Sequence, residues 1–356
     1  MAPPIRLAPQ PHAATAVLPR TAAPAVAAGP PVAAGPQVAA GWRSPGRPLP
    51  GRWASLGLAA VSAAGWLGLA PVPAGAQALP ERWLPAQTTW TDPPAPAPAT
   101  EGLAVLPGTR LWFTDTGGDG DAVVLLHAYS GSYAMWAYQQ PVLAAAGYRV
   151  IAYSARGHLR SDALDPDAMG SATEDLRALL DHLGISAAHL VGVAGGGLVP
   201  PDFAIAYPDR VLSLTISSSI AGVDDPDFEP ERLMPREITA LPTPLMEVGP
   251  SYRVANPEGL EEWTARQRVG WSGGSVHQPT NGPLSWEQFR SIRAPLLLMT
   301  GDADLAVPPS RMRQVARRGP PSELVILAEA GHAAYWEQPE AFNAVLLDFL
   351  GRHRAR

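Results

Sequence analysis

From about residue 101 onward, short apolar runs alternate with longer stretches of helical spacing, and that rhythm predicts strand and helix in turn. Strands are expected at Leu111–Thr116 and Ala122–His127, separated by the Gly117-Gly118-Asp119-Gly120 turn, and again at Tyr148–Tyr153, His189–Val193, Val211–Ser217, Pro295–Thr300 and Glu323–Leu327. Between them, helices are expected over Tyr133–Ala146, from a Ser171-Ala172-Thr173-Glu174 capping box to Gly184, toward Tyr207, over Ser310–Arg318 and from Pro339 to His353. Val123-Val124-Leu125-Leu126 and Leu296-Leu297-Leu298-Met299 are apolar without alternation, as strands buried on both faces require. The predicted class is α/β: a doubly wound, mostly parallel sheet with helices on both faces.

Residues 221–290 interrupt the rhythm. They are rich in Pro and carry Phe228, Met234, Met246, Trp263, Trp271 and Trp286. An insertion there, before the chain returns to the sheet, would form a lid over the strand ends, where open α/β sheets bind ligands. Most of its aromatic residues are expected to hold the insertion to the sheet.

The first hundred residues have a different character. Residues 1–53 are Ala/Pro/Gly-rich with scattered Arg and no hydrophobic period, and read as a disordered or misassigned extension. Arg43, Arg47 and Arg52 precede a small-residue apolar run over 54–70, followed by Ala74-Gly75-Ala76-Gln77-Ala78. Charged, apolar and A-x-A segments in that order predict a Sec-type signal peptide over 54–78 and export to the periplasm or medium. The run is short for a membrane span, so no stable span is expected after cleavage. The alternative is a cytoplasmic protein whose N-terminal segment is not a working signal. Residues 79–100, with Pro93-Pro94-Ala95-Pro96-Ala97-Pro98, read as an extended linker, and 101–352 as the folded domain.

Composition narrows the chemistry. The 356 residues include no Cys, which excludes disulfides, a thiol nucleophile and thiolate metal sites. All basic residues are Arg, so Lys-based Schiff chemistry is excluded as well. A formal net charge of −6 leaves no basic footprint for nucleic acid. His158, His182, His189, His277 and His353 form no metal-ligand spacing, and neither a metal nor a cofactor is expected.

One segment is more informative than the rest. Gly192-Val193-Ala194-Gly195-Gly196 has the outline of a G-x-S-x-G nucleophile elbow, the strained strand-to-helix turn that presents a nucleophile above a parallel sheet. Both outer glycines are present, but Ala194 stands at the nucleophile position, and a methyl group can neither attack a carbonyl nor exchange a proton. Four further segments are His127-Ala128-Tyr129-Ser130-Gly131-Ser132 with Trp136, Ser154-Ala155-Arg156-Gly157-His158-Leu159-Arg160-Ser161-Asp162, Gly301-Asp302-Ala303-Asp304 with Val307-Pro308, and Gly331-His332-Ala333-Ala334-Tyr335-Trp336-Glu337-Gln338-Pro339. Together with the elbow they resemble, over residues 101–352, the lidded enzymes of the α/β-hydrolase superfamily.

The resemblance implies a role for each segment. His332 would be the general base, and Asp304, preferred over Asp302 from its spacing to Gly301, would orient the imidazole and stabilise its cation. Backbone N–H groups of Tyr129 and Gly195 would form an oxyanion hole, which needs no side chain and so outlives the lost serine. His127 would shape the oxyanion loop, and Arg156 and Asp162 would form a structural pair. Ser130, Trp136, Trp263, Trp271 and Trp336 are candidate pocket walls. Ser132, Ser217, Ser218 and Ser219 could also line the pocket, but none sits on the elbow.

This chain departs from the superfamily pattern at Ala194, at Ala128 for a glycine, at Ser154 for an acid and at Leu159 for a glycine. Pro200-Pro201 fall in the helix after the elbow, which would start late or kink. Two functions remain open. One is an enzyme that uses His332 and Asp304 on a small apolar carbonyl or ester-like compound without a serine, by water activation or by lyase-type proton abstraction. The other is a non-catalytic pseudohydrolase that binds a small apolar ligand. An ordinary hydrolase altered at Ala194 is a third origin, which the other departures speak against. No macromolecular partner is implied, and the oligomeric state is not legible.

Overall fold

A computed structural model describes residues 81–228, 236–270 and 276–355. The predicted signal peptide and everything before it, together with Met234 and Trp271, lie outside the described residues. Among the described residues, no helix is long and apolar enough to cross a membrane.

Nine strands form one sheet: β1 (Glu81–Leu84), β2 (Thr100–Leu106), β3 (Thr109–Asp115), β4 (Ala122–Leu126), β5 (Arg149–Tyr153), β6 (Ala188–Val193), β7 (Val211–Ser217), β8 (Leu296–Gly301) and β9 (Ser322–Leu327). Their order across the sheet is β1-β9-β8-β7-β6-β4-β5-β3-β2. Only the β2–β3 and β3–β5 pairings are antiparallel; the others are parallel. The α/β reading and its mostly parallel sheet therefore stand.

Helices cover both faces, as parallel crossovers demand. Along β4, Val124 and Leu126 face one core with Leu176, Phe203 and Val315, whereas Val123 and Leu125 face the other with Leu143, Trp336 and Phe349. The first core is closed by α2 (Ala172–His182), α3 (Val199–Ala206) and the helix Pro309–Arg318. The second is closed by α1 (Gln140–Ala145) and the C-terminal helix Pro339–Arg352.

Several local expectations are corrected. The segment 79–100 is not a free linker over its described part. Its Glu81–Leu84 adds a parallel edge strand to β9, Arg313 pairs with Glu81 at 2.7 Å, and the Trp90 indole N–H donates to the Glu337 carbonyl at 2.6 Å. Tyr133–Ala146 is not one helix but a single turn over Tyr133–Trp136 followed by α1, in whose first turn Pro141 has no N–H to lose. The capping box at Ser171 does not form, because its hydroxyl bonds Asn281 at 2.7 Å while Glu174 accepts from Tyr207. The ion pair expected between Arg156 and Asp162 is absent. Arg156 instead forks onto Asp175 with two bonds of 2.7 Å, and Asp162 takes Arg110 at 2.8 Å.

The chain between β7 and β8 is a helical insertion. Its described helices are α4 (Arg236–Thr239), α5 (Thr243–Glu247), α6 (Pro250–Ala255), α7 (Pro257–Gly270) and α8 (Trp286–Arg290). Trp286 packs edge-on against Phe228 and Phe289, and these aromatics share a core with Leu296 and Leu298 of β8.

Candidate active site

The turn after β6 has the tight geometry that the sequence predicts for it. β6 ends at Val193, and Ala194 turns left-handed at φ +49°, a conformation that costs a non-glycine residue about 1–2 kcal/mol. The glycines are explained by close approach. A Cβ on Gly192 would strike the Gly196 carbonyl, and one on Gly196 would strike the carbonyl oxygens of Leu126 and His127. A Cβ on Gly195 would lie 2.5 Å from the Tyr129 ring, so the loop carrying Tyr129 rests directly on the turn.

The double proline is accommodated. Ala194–Leu198 forms a 3₁₀ turn and α3 begins only at Val199. Pro200 and Pro201 thus occupy its first turn, where backbone N–H groups have no helical partner. The helix starts late, and the elbow keeps its shape.

The loop after β4 is fixed by His127. Its Nδ1–H donates to the Ala128 carbonyl at 2.8 Å, and its Nε2 accepts from the Ala155 N–H at 3.0 Å. Burial pushes this imidazole down to about 4, so it stays neutral and structural. His158 lies against it with ring centroids 4.3 Å apart and Nδ1 2.7 Å from the Gly131 carbonyl. Its own burial, and then His127, push it down to about 2. Ala128 carries no left-handed strain: among described non-glycine residues only Arg160, Ala194, Ser218, Ala221 and Glu329 have positive φ. Ser154, in the place of an acid, is buried and ties its loop to the turn at Tyr133, whose N–H it accepts at 3.3 Å. Leu159 donates its N–H to Gly270 of the insertion at 3.0 Å.

His332 and Asp304 meet as expected. Both loops leave the C-terminal ends of neighbouring strands, β9 and β8. His332 Nδ1 lies 3.0 Å from each Asp304 carboxylate oxygen, and Asp304 Oδ1 also accepts the N–H groups of Ala306 and Val307 at 2.8 Å each. Asp302, by contrast, is exposed. Burial raises Asp304, but the charge and hydrogen bond of His332 outweigh it and hold the carboxyl below the usual range. Burial lowers His332, but the charge and hydrogen bond of Asp304, then the charges of Glu247 and Glu337, carry it up to about 9.

Two of these acids had no role in the sequence reading. Glu337, inside the G-H…E-x-P segment, accepts the N–H groups of Gly331 and Gly249 and is raised by burial to about 8. Glu247, at the end of α5, accepts the Ser130 hydroxyl at 2.9 Å and is raised by burial. Nothing in a Pro-rich insertion marks one Glu as special, whereas Glu337 had a motif to point to it.

The tryptophans are a correction. Trp136, Trp263 and Trp336 are at most 1 % exposed and belong to the core on the α1 face. Trp263 Nε1 donates to the Tyr335 hydroxyl at 3.2 Å and Trp336 Nε1 to the Gly259 carbonyl at 3.1 Å, so they pack the insertion onto the His332 loop. Ser130 is half-buried beside Glu247, and Ser132 caps the turn at Tyr133. Ser217, Ser218 and Ser219 are buried behind the elbow. Tyr129 is the aromatic that does face the site. Its ring stacks on His277 at 3.8 Å, nearly parallel, and covers Gly195. Beside these residues, a cavity of about 40 Å³ is lined by Tyr129, Tyr153, Gly195, Val199 and Gln278. It has room for a few waters or a small substituent.

The model of the alpha/beta hydrolase family matches residues 123–345. The dihydrolipoyllysine-residue acetyltransferase component of the acetoin cleaving system of Pseudomonas putida is 31 % identical over 270 residues, covering 73 % of this chain and 70 % of that protein. The 2-hydroxy-6-oxononadienedioate/2-hydroxy-6-oxononatrienedioate hydrolase of Paraburkholderia phymatum is 29 % identical over 273 residues, covering 68 % of this chain and 91 % of that one. Among solved structures, the thermophilic esterase of Thermogutta terrifontis superimposes with a TM-score of 0.57 at 26 % identity, covering 73 % of this chain and all of that one.

Proposed function

The chain belongs to the alpha/beta hydrolase family, and from that premise we propose that it is a hydrolase working without a covalent intermediate. In this reading His332, backed by Asp304, is the general base that takes a proton from water. The water adds to the carbonyl of a small apolar ester or related acyl compound. The N–H groups of Tyr129 and Gly195 hold the oxyanion that forms. The proton on His332 then passes to the leaving group, and the cycle closes with no group left on the protein.

One observation carries the reading: the His332–Asp304 pair is intact, at 3.0 Å, in a chain whose turn at Ala194 keeps its left-handed conformation. A site released from catalysis has no reason to keep a buried carboxylate bonded to a largely covered imidazole, since burying a charge costs several kcal/mol. Hydrolases stand among the relatives, one an esterase and one named for an oxo-dienedioate, which supports an acyl or C–C substrate next to a carbonyl.

Magnitude sets a limit on the substrate. Loss of the serine from a working triad costs about 10⁶ in rate, about 8 kcal/mol, and leaves about 10³–10⁴ over water. An unactivated ester would therefore turn over too slowly to matter, and a reactive acyl compound is required. The test is hydrolysis of p-nitrophenyl acetate by the protein and by His332→Ala. Turnover that disappears in the variant supports the reading. Equal turnover in both overturns it, and none in either leaves the pseudohydrolase as the better account.

A further inference from the structure

We propose that Glu247, anchored by Ser130, is a second carboxylate partner of His332 that joins Asp304 in stabilising the imidazolium formed when the histidine takes a proton from water. This rests on the hydrolytic reading above and names a residue that the motif pattern does not contain.

The geometry comes from three elements. Glu247 ends α5, and its backbone carbonyl accepts the N–H of Ala333, the residue after His332, at 2.9 Å. Its carboxylate accepts the hydroxyl of Ser130, the residue after Tyr129 on the oxyanion loop, at 2.9 Å. One residue of the insertion therefore bridges the loop of the base, through its carbonyl, and the oxyanion loop, through its buried side chain.

The charges that act on the imidazole include those of Asp304, Glu247 and Glu337. Asp304 holds Nδ1. Glu337 is committed to the backbone N–H groups of Gly249 and Gly331 and serves to hold the insertion on the histidine loop. Arg253, on α6, spends its guanidinium on the carbonyls of Leu245 and Val248. That leaves Glu247 as the carboxylate whose one side-chain bond goes to a hydroxyl of the oxyanion loop, and its charge acts on both His332 and Asp304.

The chemistry explains why a second carboxylate is useful here. In the step, a water O–H bond breaks, its electron pair forms the new C–O bond, and the proton goes to His332 Nε2. The same proton later leaves with the alcohol or enol, so atoms and charges balance without a co-reactant. Water attacks here in place of a pre-aligned serine hydroxyl, and a stronger base recovers part of the lost rate, because proton-transfer efficiency follows the base's own strength. Two carboxylates strengthen the base, and in return hold it protonated at neutral pH.

The test is titration of His332 by NMR in the full chain, beside the pH dependence of p-nitrophenyl acetate hydrolysis. In Glu247→Gln the midpoint of His332 should fall by about one unit or more, and the alkaline plateau of kcat by about tenfold with KM little changed. Ser130→Ala should move the midpoint the same way by a smaller amount, and serves alone if Glu247→Gln does not fold. An unchanged midpoint in either folded variant overturns the proposal. A midpoint that falls in a protein with no His332-dependent turnover supports the partnership and sinks the hydrolytic reading instead.

Discussion

His332 Nδ1 stands equally far, at 3.0 Å, from the two carboxylate oxygens of Asp304, and Asp304 is itself pinned by two backbone N–H groups. Such a carboxylate holds the ring in one tautomer, with Nε2 left to face the substrate. Asp304→Asn should therefore lower turnover by about 10², the low end of what a positioned general base contributes, while leaving the fold intact. Steady-state kinetics of the variant on an activated ester checks this.

The raised imidazole sets the pH dependence. A general base works only when neutral, and a group titrating at about 9 is about 1 % neutral at pH 7. Turnover should rise about tenfold per unit from pH 7 toward 9 and then level. A profile already flat by pH 7 would show that the surrounding carboxylates do not raise His332 in the working enzyme.

Ala194→Ser restores the missing hydroxyl on an elbow whose turn is already made. Its Oγ would extend from a residue at φ +49°, the left-handed turn that aims a nucleophile. Activity on p-nitrophenyl acetate should rise by at least about 10², with an acyl-enzyme burst detectable in the first turnover. A folded variant with neither gain nor burst would mean that Tyr129, stacked on His277 and lying over Gly195, closes the oxyanion hole.

What was legible in the sequence divides along physical lines. The strands, the elbow and the His332–Asp304 pair were readable because backbone geometry restricts which residues fit: Gly196 touches two carbonyl oxygens, and β4 is apolar on both faces. Partners chosen in three dimensions were not. Arg156 was read with the nearby Asp162, but the fold offers it Asp175 on α2, in a buried position where two bonds can form. Glu247 meets Ser130 across 117 positions of sequence, and no local pattern marks such an encounter. Tryptophan is equally suited to a pocket wall or a core, and only packing sends Trp136, Trp263 and Trp336 to the core. β1, with four residues and no alternation, exists because β9 has a free edge to pair with.

Ala194 also carries a cost that can be measured. Left-handed φ is disfavoured for alanine by about 1–2 kcal/mol, while glycine adopts it freely but loses about 0.5–1 kcal/mol more in chain entropy. Ala194→Gly should therefore stabilise the protein by about 0.5–1 kcal/mol in denaturant unfolding. A destabilised variant would show that the Ala194 methyl makes packing contacts that outweigh the strain.

The Arg156–Asp175 pair supplies the last prediction. Both side chains are more than nine-tenths buried, two bonds of 2.7 Å join them, and Gln278 of the insertion adds a third at 2.7 Å to the same carboxylate. Removing one partner strands the other charge away from water, so Arg156→Met should cost about 3–5 kcal/mol. Combining it with Asp175→Leu removes the stranded charge, and should return a large part of that loss, because well-packed apolar groups replace a buried pair at little net cost. Urea unfolding of the two variants decides it. A single variant that costs under about 1 kcal/mol would mean water reaches the pair. A double variant no better than the single would mean that the Gln278 bond, and with it the seating of the insertion, is what the pair secures.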